Sequence, residues 1–185
     1  MKQESTFKMV LRTVVVLLLV TGIVAIALAG VNAITKDRIA ELKAEKTRQA
    51  LEAVLPDAAS AKALETFSDE TGLVQTVYES ETGYAMEVTP AGFGGTITLM
   101  VGVDHEGKVL GISVVSHTET AGLGAVAAEK TAKGQTFRDQ FAGMSGELAV
   151  KKDGGKVDAL SGATITSRAV TEGVNAAIAC GEKLG

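Results

Sequence analysis

Near its C-terminus the chain reads Asp158-Ala159-Leu160-Ser161-Gly162-Ala163-Thr164. A threonine hydroxyl closes a turn of small residues, just ahead of a helix-like run. Ser161, Gly162 and Ala163 leave the backbone flexible and permit close approach by another molecule. A helix starting within about three residues offers free N–H donors and the positive end of its dipole, a setting that suits a phosphate anion. Ser161, Thr166 and Ser167 supply hydroxyls that can donate to such an anion or cap the helix. By itself Ser-Gly-Ala-Thr reads as an ordinary N-cap turn, and Asp158 three residues before Ser161 tips the reading toward function. A threonine hydroxyl is a poor nucleophile at its free pKa, so a bond made through Thr164 needs an external catalyst that can reach it.

A second group is His117-Thr118-Glu119-Thr120-Ala121-Gly122-Leu123-Gly124, directly after a strand-like run. A loop with a carboxylate, hydroxyls and Leu123 can hold a flat heteroaromatic ring, which needs one apolar face and polar partners at its edge. It also fits a glycine turn feeding a helix. His117 has only His105 as a companion, so no metal site is expected. Pro90-Ala91-Gly92-Phe93-Gly94-Gly95 matches neither phosphate-loop pattern and reads as a tight connection between strands. Lys151 and Lys152 precede Thr164, and either can complement a carbonyl or a phosphate. The chain offers no Ser-His-Asp set, no paired catalytic carboxylates and no P-loop, so its chemistry falls to a cofactor.

The elements that must position these residues follow from the pattern. Runs rich in Val, Ile and Thr predict strands over Leu73–Tyr78, Tyr84–Thr89, Thr96–Val103 and Val109–Ser116. Asp104-His105-Glu106-Gly107 predicts a hairpin between the last two. Helical stretches are expected near Val126–Thr131, near Phe137–Ala142 and over Ser167–Lys183, with a last strand at Leu148–Lys151. Strands followed by helices predict an α+β domain with a mixed or antiparallel sheet.

Ahead of this domain, Thr13–Thr35 holds no charge over 23 residues. As a helix it spans roughly 34 Å, enough for a hydrocarbon core of about 30 Å. Lys2, Lys8 and Arg12 against Glu4 make the N-terminal flank basic. The positive-inside rule then places residues 1–12 in the cytoplasm and the remainder outside. Residues 36–56 are expected to form a charged helical stalk ended near Pro56, and residues 57–185 the extracytoplasmic domain. Ala27-Leu28-Ala29 has the form of a signal cleavage site, and a cleaved leader sends the domain to the same side. The net charge of -4 argues against nucleic-acid binding, and a single cysteine, Cys180, allows no internal disulfide.

The motifs, in this order behind one apolar span, resemble the G subunit of the Rnf electron-transport complex and its relative, the C subunit of the sodium-pumping NADH:quinone oxidoreductase. The stretches VGVDHEGKVLGISVVSHTETAGLG, ending at Gly124, and DALSGATITSR, ending at Arg168, are specific together. The resemblance implies an FMN-binding domain in which a flavin transferase joins FMN to Thr164 through a phosphodiester. It implies a cofactor site of Ser161, Gly162, Ala163 and Thr166, with Glu119, Thr120, Gly122, Leu123 and Gly124 lining the flavin. The family's lysine before the acceptor matches Lys151 best, with Lys152 possible. Where the family usually has proline after Glu-Thr, this chain has Ala121, which loosens the loop slightly. The short chain and compact loops favour the Rnf protein. The implied role is electron relay between redox subunits of an ion-pumping ferredoxin:NAD oxidoreductase. A stand-alone tethered flavoprotein and a non-redox anchored binding domain are the alternatives.

Overall fold

The computed structural model describes residues 6–185; the basic tip at Lys2 and its neighbour Glu4 lie outside the described residues. The chain divides into a first unit ending at Glu45 and a second running Lys46–Gly185.

The first unit is the greater part of one helix, α1 (Thr6–Val54). From Met9 to Ile34 its large apolar side chains are exposed on every side, Leu17, Leu18 and Ile26 among them. A helix apolar all round and not covered by protein has the surface of a membrane span, and α1 is long and apolar enough to cross one. Its threonines do not break the pattern, because Thr13, Thr21 and Thr35 donate their hydroxyls to Met9, Leu17 and Val31 carbonyls one turn back.

The second unit is α+β. Five strands, β1 (Lys62–Ala63), β2 (Val74–Glu79), β3 (Gly83–Val88), β4 (Thr98–Asp104) and β5 (Val109–Ser116), form an antiparallel meander in chain order. The four strands read from the sequence are there within two residues of the expected ends, and the two-residue β1 is additional. The predicted hairpin joins β4 to β5: the Asp104 carboxylate accepts the Glu106 and Lys108 N–H groups at 3.0 and 2.8 Å.

Alternation along β3 and β4 divides the core. Tyr84, Met86, Val88, Leu99, Val101 and Val103 face one side, where helix α3 (Thr164–Gly181) lays down Val170, Val174, Ala177 and Ile178. Ala85 and Met100 face the other, where Ala50, Val54 and Leu55 of the chain leaving α1 close a smaller cluster. With both faces covered, the strands are apolar almost throughout. The expected stalk over 36–56 is therefore helical as far as Val54, but its last turns are core rather than solvated connector. Gly102 permits this, since a Cβ there would strike the Val54 carbonyl group.

Four expectations shift. The helix near Val126–Thr131 is a 3-10 turn at Gly124–Ala127, and the helix expected near Phe137–Ala142 lies earlier, as α2 (Ala132–Asp139). Thr131 caps α2 by accepting the Gly134 N–H at 3.3 Å. The strand at Leu148–Lys151 reduces to one bridge, Val150 to Val157, followed by a 3-10 turn at Lys151–Asp153. The last helix begins at Thr164, three residues before Ser167.

Candidate functional site

Three segments converge where α3 begins: the loop 90–95 between β3 and β4, the loop 117–124 after β5, and the turn 158–163. Glu119 fastens them together. The residue as a whole is only 9 % exposed. One carboxylate oxygen accepts the Gly94 N–H at 2.8 Å, and the other accepts the hydroxyl of Thr166 on α3. Thr118 adds a second tie by donating to the Gly94 carbonyl at 2.9 Å. The carboxylate is tightly enclosed, because a Cβ on Gly92 or on Gly124 would run into its oxygens. A buried carboxylate needs such donors, since desolvation without them is costly.

Thr164 is the first residue of α3. Its predecessor Ala163 takes the N-cap position with no side-chain cap bond, so no side chain competes for the first-turn N–H groups. The turn before it requires Gly162, whose φ of 75° is left-handed and where a Cβ would press on the Leu123 side chain. Thr164 is half-exposed and within reach of an external molecule. The Lys152 ammonium donates to its Oγ1 at 3.0 Å.

Lys151, the better sequence match, points elsewhere and pairs with Asp158 at 2.7 Å. Both partners of that pair are mostly exposed, 60 % and 71 %, so it contributes little stability. What turns Lys152 toward the hydroxyl is the Lys151–Asp153 turn, anchored on α3 by Arg168, which donates to both Asp153 oxygens at 2.7 and 2.6 Å. This fork holds the Asp153 carboxyl below the usual carboxylate range and raises Arg168.

A cleft of about 320 Å³ opens between these segments, lined by Phe93, Glu119, Thr120, Leu123, Gly124, Lys152, Gly162, Ala163, Thr164, Ile165 and Thr166. That volume lies at the small end of ligand sites. Phe93, Leu123 and Ile165 stand around it 68 %, 44 % and 49 % exposed, unusual for large apolar side chains in a well-covered domain. A planar ring fits between such walls, and an anion fits at the uncapped helix end beside Lys152.

Of the residues expected from sequence, Glu119, Thr120, Leu123, Gly124, Gly162, Ala163, Thr164 and Thr166 line the cleft; Ser161, Gly122 and Lys151 do not. Gly122 shapes the loop with a φ of 74°. Thr166 and Ser167 are not donors for an anion. Thr166 is spent on Glu119, and Ser167 donates to the Ala163 carbonyl while accepting the Leu160 N–H. Sequence reasoning left Phe93 in a plain connection, did not single out Ile165, and ranked Lys152, which contacts Thr164, behind Lys151. The one available signal for Phe93 was a large apolar side chain set among glycines in a loop.

The FMN-binding domain family model matches residues 92–179. Over 96 % of its length the chain is 32 % identical to the G subunit of the Na(+)-translocating ferredoxin:NAD(+) oxidoreductase complex of Acetobacterium woodii, covering 94 % of that protein. It is 36 % identical to the G subunit of the ion-translocating oxidoreductase complex of Stutzerimonas stutzeri, over 84 % of this chain and 74 % of that one. A third relative is the protein of the same name from Methanosarcina acetivorans, 29 % identical over 94 % of this chain and 95 % of the relative.

Proposed function

This chain belongs to the family of G subunits of ion-translocating oxidoreductase complexes, and we propose that it acts there as a membrane-anchored electron carrier with FMN bound covalently to Thr164. The observation that carries the reading is the surroundings of one hydroxyl. Thr164 Oγ1 is accessible, sits at the mouth of α3 and has an ammonium at 3.0 Å, beside a cleft with apolar walls.

FMN supplies one- and two-electron redox chemistry that no side chain here offers. The residues do the rest. Lys152 and the first-turn N–H groups of α3 balance the phosphodiester charge. Phe93, Leu123 and Ile165 hold the apolar faces of a ring and exclude water, while Thr120 offers a hydroxyl at its edge. Glu119 keeps the walls together through Gly94 and Thr166. No side chain acts as acid, base or nucleophile during turnover in this reading.

Attachment at Thr164 needs a flavin transferase, because the hydroxyl has no general base within the described residues that contact it. Residues 13–35 of α1 cross the membrane, with residues 1–12 cytoplasmic, 36–56 leading out of the bilayer and 57–185 forming the extracytoplasmic FMN domain. Lys8 and Arg12 at the basic end support that orientation. The name of the Acetobacterium woodii relative supports ferredoxin and NAD as the ends of the electron path, and both names support other complex subunits as partners. Covalent FMN keeps its fluorescence through a denaturing gel. The test is Thr164→Val expressed with a flavin transferase: the reading expects the fluorescent band to vanish, and persistence of the band overturns the assignment.

A further inference from the structure

The two edges of the sheet are built differently. At one edge β1 is only two residues long. At the other, β5 runs Val109–Ser116. Only the start of this second edge is covered. Val109 donates to the Met144 carbonyl and accepts the Gly143 N–H, both at 2.8 Å. Beyond Val109, the outward backbone groups of Leu110–Ser116 have no hydrogen-bond partner among the described residues.

Natural sheets blunt such an edge with lysine, proline, bulges or a covering element, because open N–H and C=O groups recruit other strands. Leu110-Gly111-Ile112-Ser113-Val114-Val115-Ser116 carries no charge and no proline. Its two register irregularities lie at the ends, and Gly111–Val114 pairs regularly with Leu99–Gly102. This stretch therefore has strand geometry, strand composition and no protection.

The edge also lines a cavity of about 800 Å³. Ala50 and Ala53 at the end of α1 line it, together with Arg138 at the end of α2 and Ala142 in the turn that follows. The rim is basic although the chain as a whole carries a net charge of -4. Lys46, Lys130 and Arg138 line the groove against a single carboxylate, Asp139. Neither Lys46 nor Lys130 has a carboxylate partner among the described residues.

We propose that β5 takes a sixth strand: an extended, carboxylate-bearing segment of another polypeptide of the complex, laid along the basic groove. Main-chain bonds to the open edge give affinity. Alternate side chains of the incoming strand face opposite sides of the sheet. Its carboxylates pair with Lys46 and Lys130, which orients the segment and speeds its capture. The groove reaches His117, whose Nδ1 accepts the Glu119 N–H at 3.2 Å, so the docked strand ends beside the loop that walls the cofactor cleft. The existence of a partner polypeptide rests on the family membership above; the open edge and its charge do not.

The experiment uses the full-length protein in detergent micelles and reads amide hydrogen exchange over residues 110–116. The probes are two peptides of about ten residues, one repeating Val-Val-Glu-Glu and one repeating Val-Val-Lys-Lys, so that charges stand on both faces of an extended strand. The Val-Glu peptide slows exchange on this stretch by about tenfold or more, and the Val-Lys peptide does not. The double variant Lys46→Glu, Lys130→Glu loses the effect while its intact mass still shows the same modification state as wild type. No slowing, or equal slowing by both peptides, overturns the proposal. So does protection of the edge by concentration-dependent dimers without peptide, which makes a second copy the occupant. The mass spectrum reports Thr164 separately, so failure of the flavin reading and failure of the strand reading are distinguishable.

Discussion

Replacing Thr166 with valine tests the brace around which the cleft is built. The two side chains have nearly the same shape, so packing survives and only the hydroxyl is lost. Thr166 is 1 % exposed and Glu119 9 %, and the donated hydrogen bond joins them. In Thr166→Val the second carboxylate oxygen loses its donor. Glycines 92 and 124 press against the same oxygens. Losing a hydrogen bond to a buried charge costs about 1.5–3 kcal/mol. For a folded unit of the size of Lys46–Gly185, 1 kcal/mol moves the midpoint of melting by about 3–4 °C. The expected drop in Tm is thus about 5–10 °C, measured by thermal unfolding of unmodified full-length protein at pH 7. Thr166→Ser keeps the hydroxyl and is expected to fall by less than about 3 °C, since only a methyl group is removed. A Thr166→Val melt within about 1 °C of wild type would refute the reasoning, because Glu119 would then not be a buried charge dependent on that donor.

Lys152→Met is expected to slow attachment of flavin to Thr164 by about three- to tenfold, the scale of one charge-assisted hydrogen bond at a half-exposed site. Lys151→Met leaves the rate unchanged, as its ammonium serves Asp158; a time course of in-gel fluorescence compares the two, and equal slowing contradicts the assignment. Asp57 gives a pH test. The Thr82 hydroxyl, helped by the Ser80 hydroxyl and the Thr82 N–H, holds its carboxyl below the usual carboxylate range despite some desolvation. The folded pKa is depressed, so this stabilisation is present above the ordinary carboxylate pKa and is lost as pH falls through the folded value. Asp57→Asn therefore melts lower than wild type at pH 7, and the gap closes on acidification to about pH 3. A gap that widens in acid would contradict the sign.

The parts of this molecule visible in its sequence are those written in local chemistry. Runs of Val, Ile and Thr bounded by glycines yielded four strands, and Asp104–Gly107 yielded the hairpin. The apolar span was legible because no charge interrupts it. Helix α2 was displaced because Val126–Thr131 looks more helical in hydropathy than the polar Ala132–Asp139; Thr131 as N-cap was the overlooked signal. The start of α3 was read late because Thr164 and Ile165 are β-branched and Ala163 gives no capping side chain. Val150 looked like a strand residue, but a bridge to Val157 is all the pairing it finds.

The site divides the same way. Thr164 and the Glu119–Gly124 loop carry a motif. Lys152 rather than Lys151 touches Thr164 beside a turn held by a distant fork, Arg168 on Asp153, and adjacent lysines give no local clue to it. Thr166 looked like a phosphate donor, whereas helical phase turns it inward to Glu119. Phe93 and Ile165 matter because they are exposed, and exposure belongs to the folded surface rather than to either residue's neighbours in sequence. The open β5 edge was likewise unreadable, since strand order decides which strand is outermost.

The central claim is most directly tested by intact-mass spectrometry of wild-type protein and of Thr164→Val, both made with a flavin transferase present. The account predicts an addition of roughly 440 Da on the wild type, the mass of FMN less the water lost in forming the ester. Fragmentation places that mass on Thr164, and the variant lacks it. An unmodified wild type, or the same addition on the variant, would contradict the account.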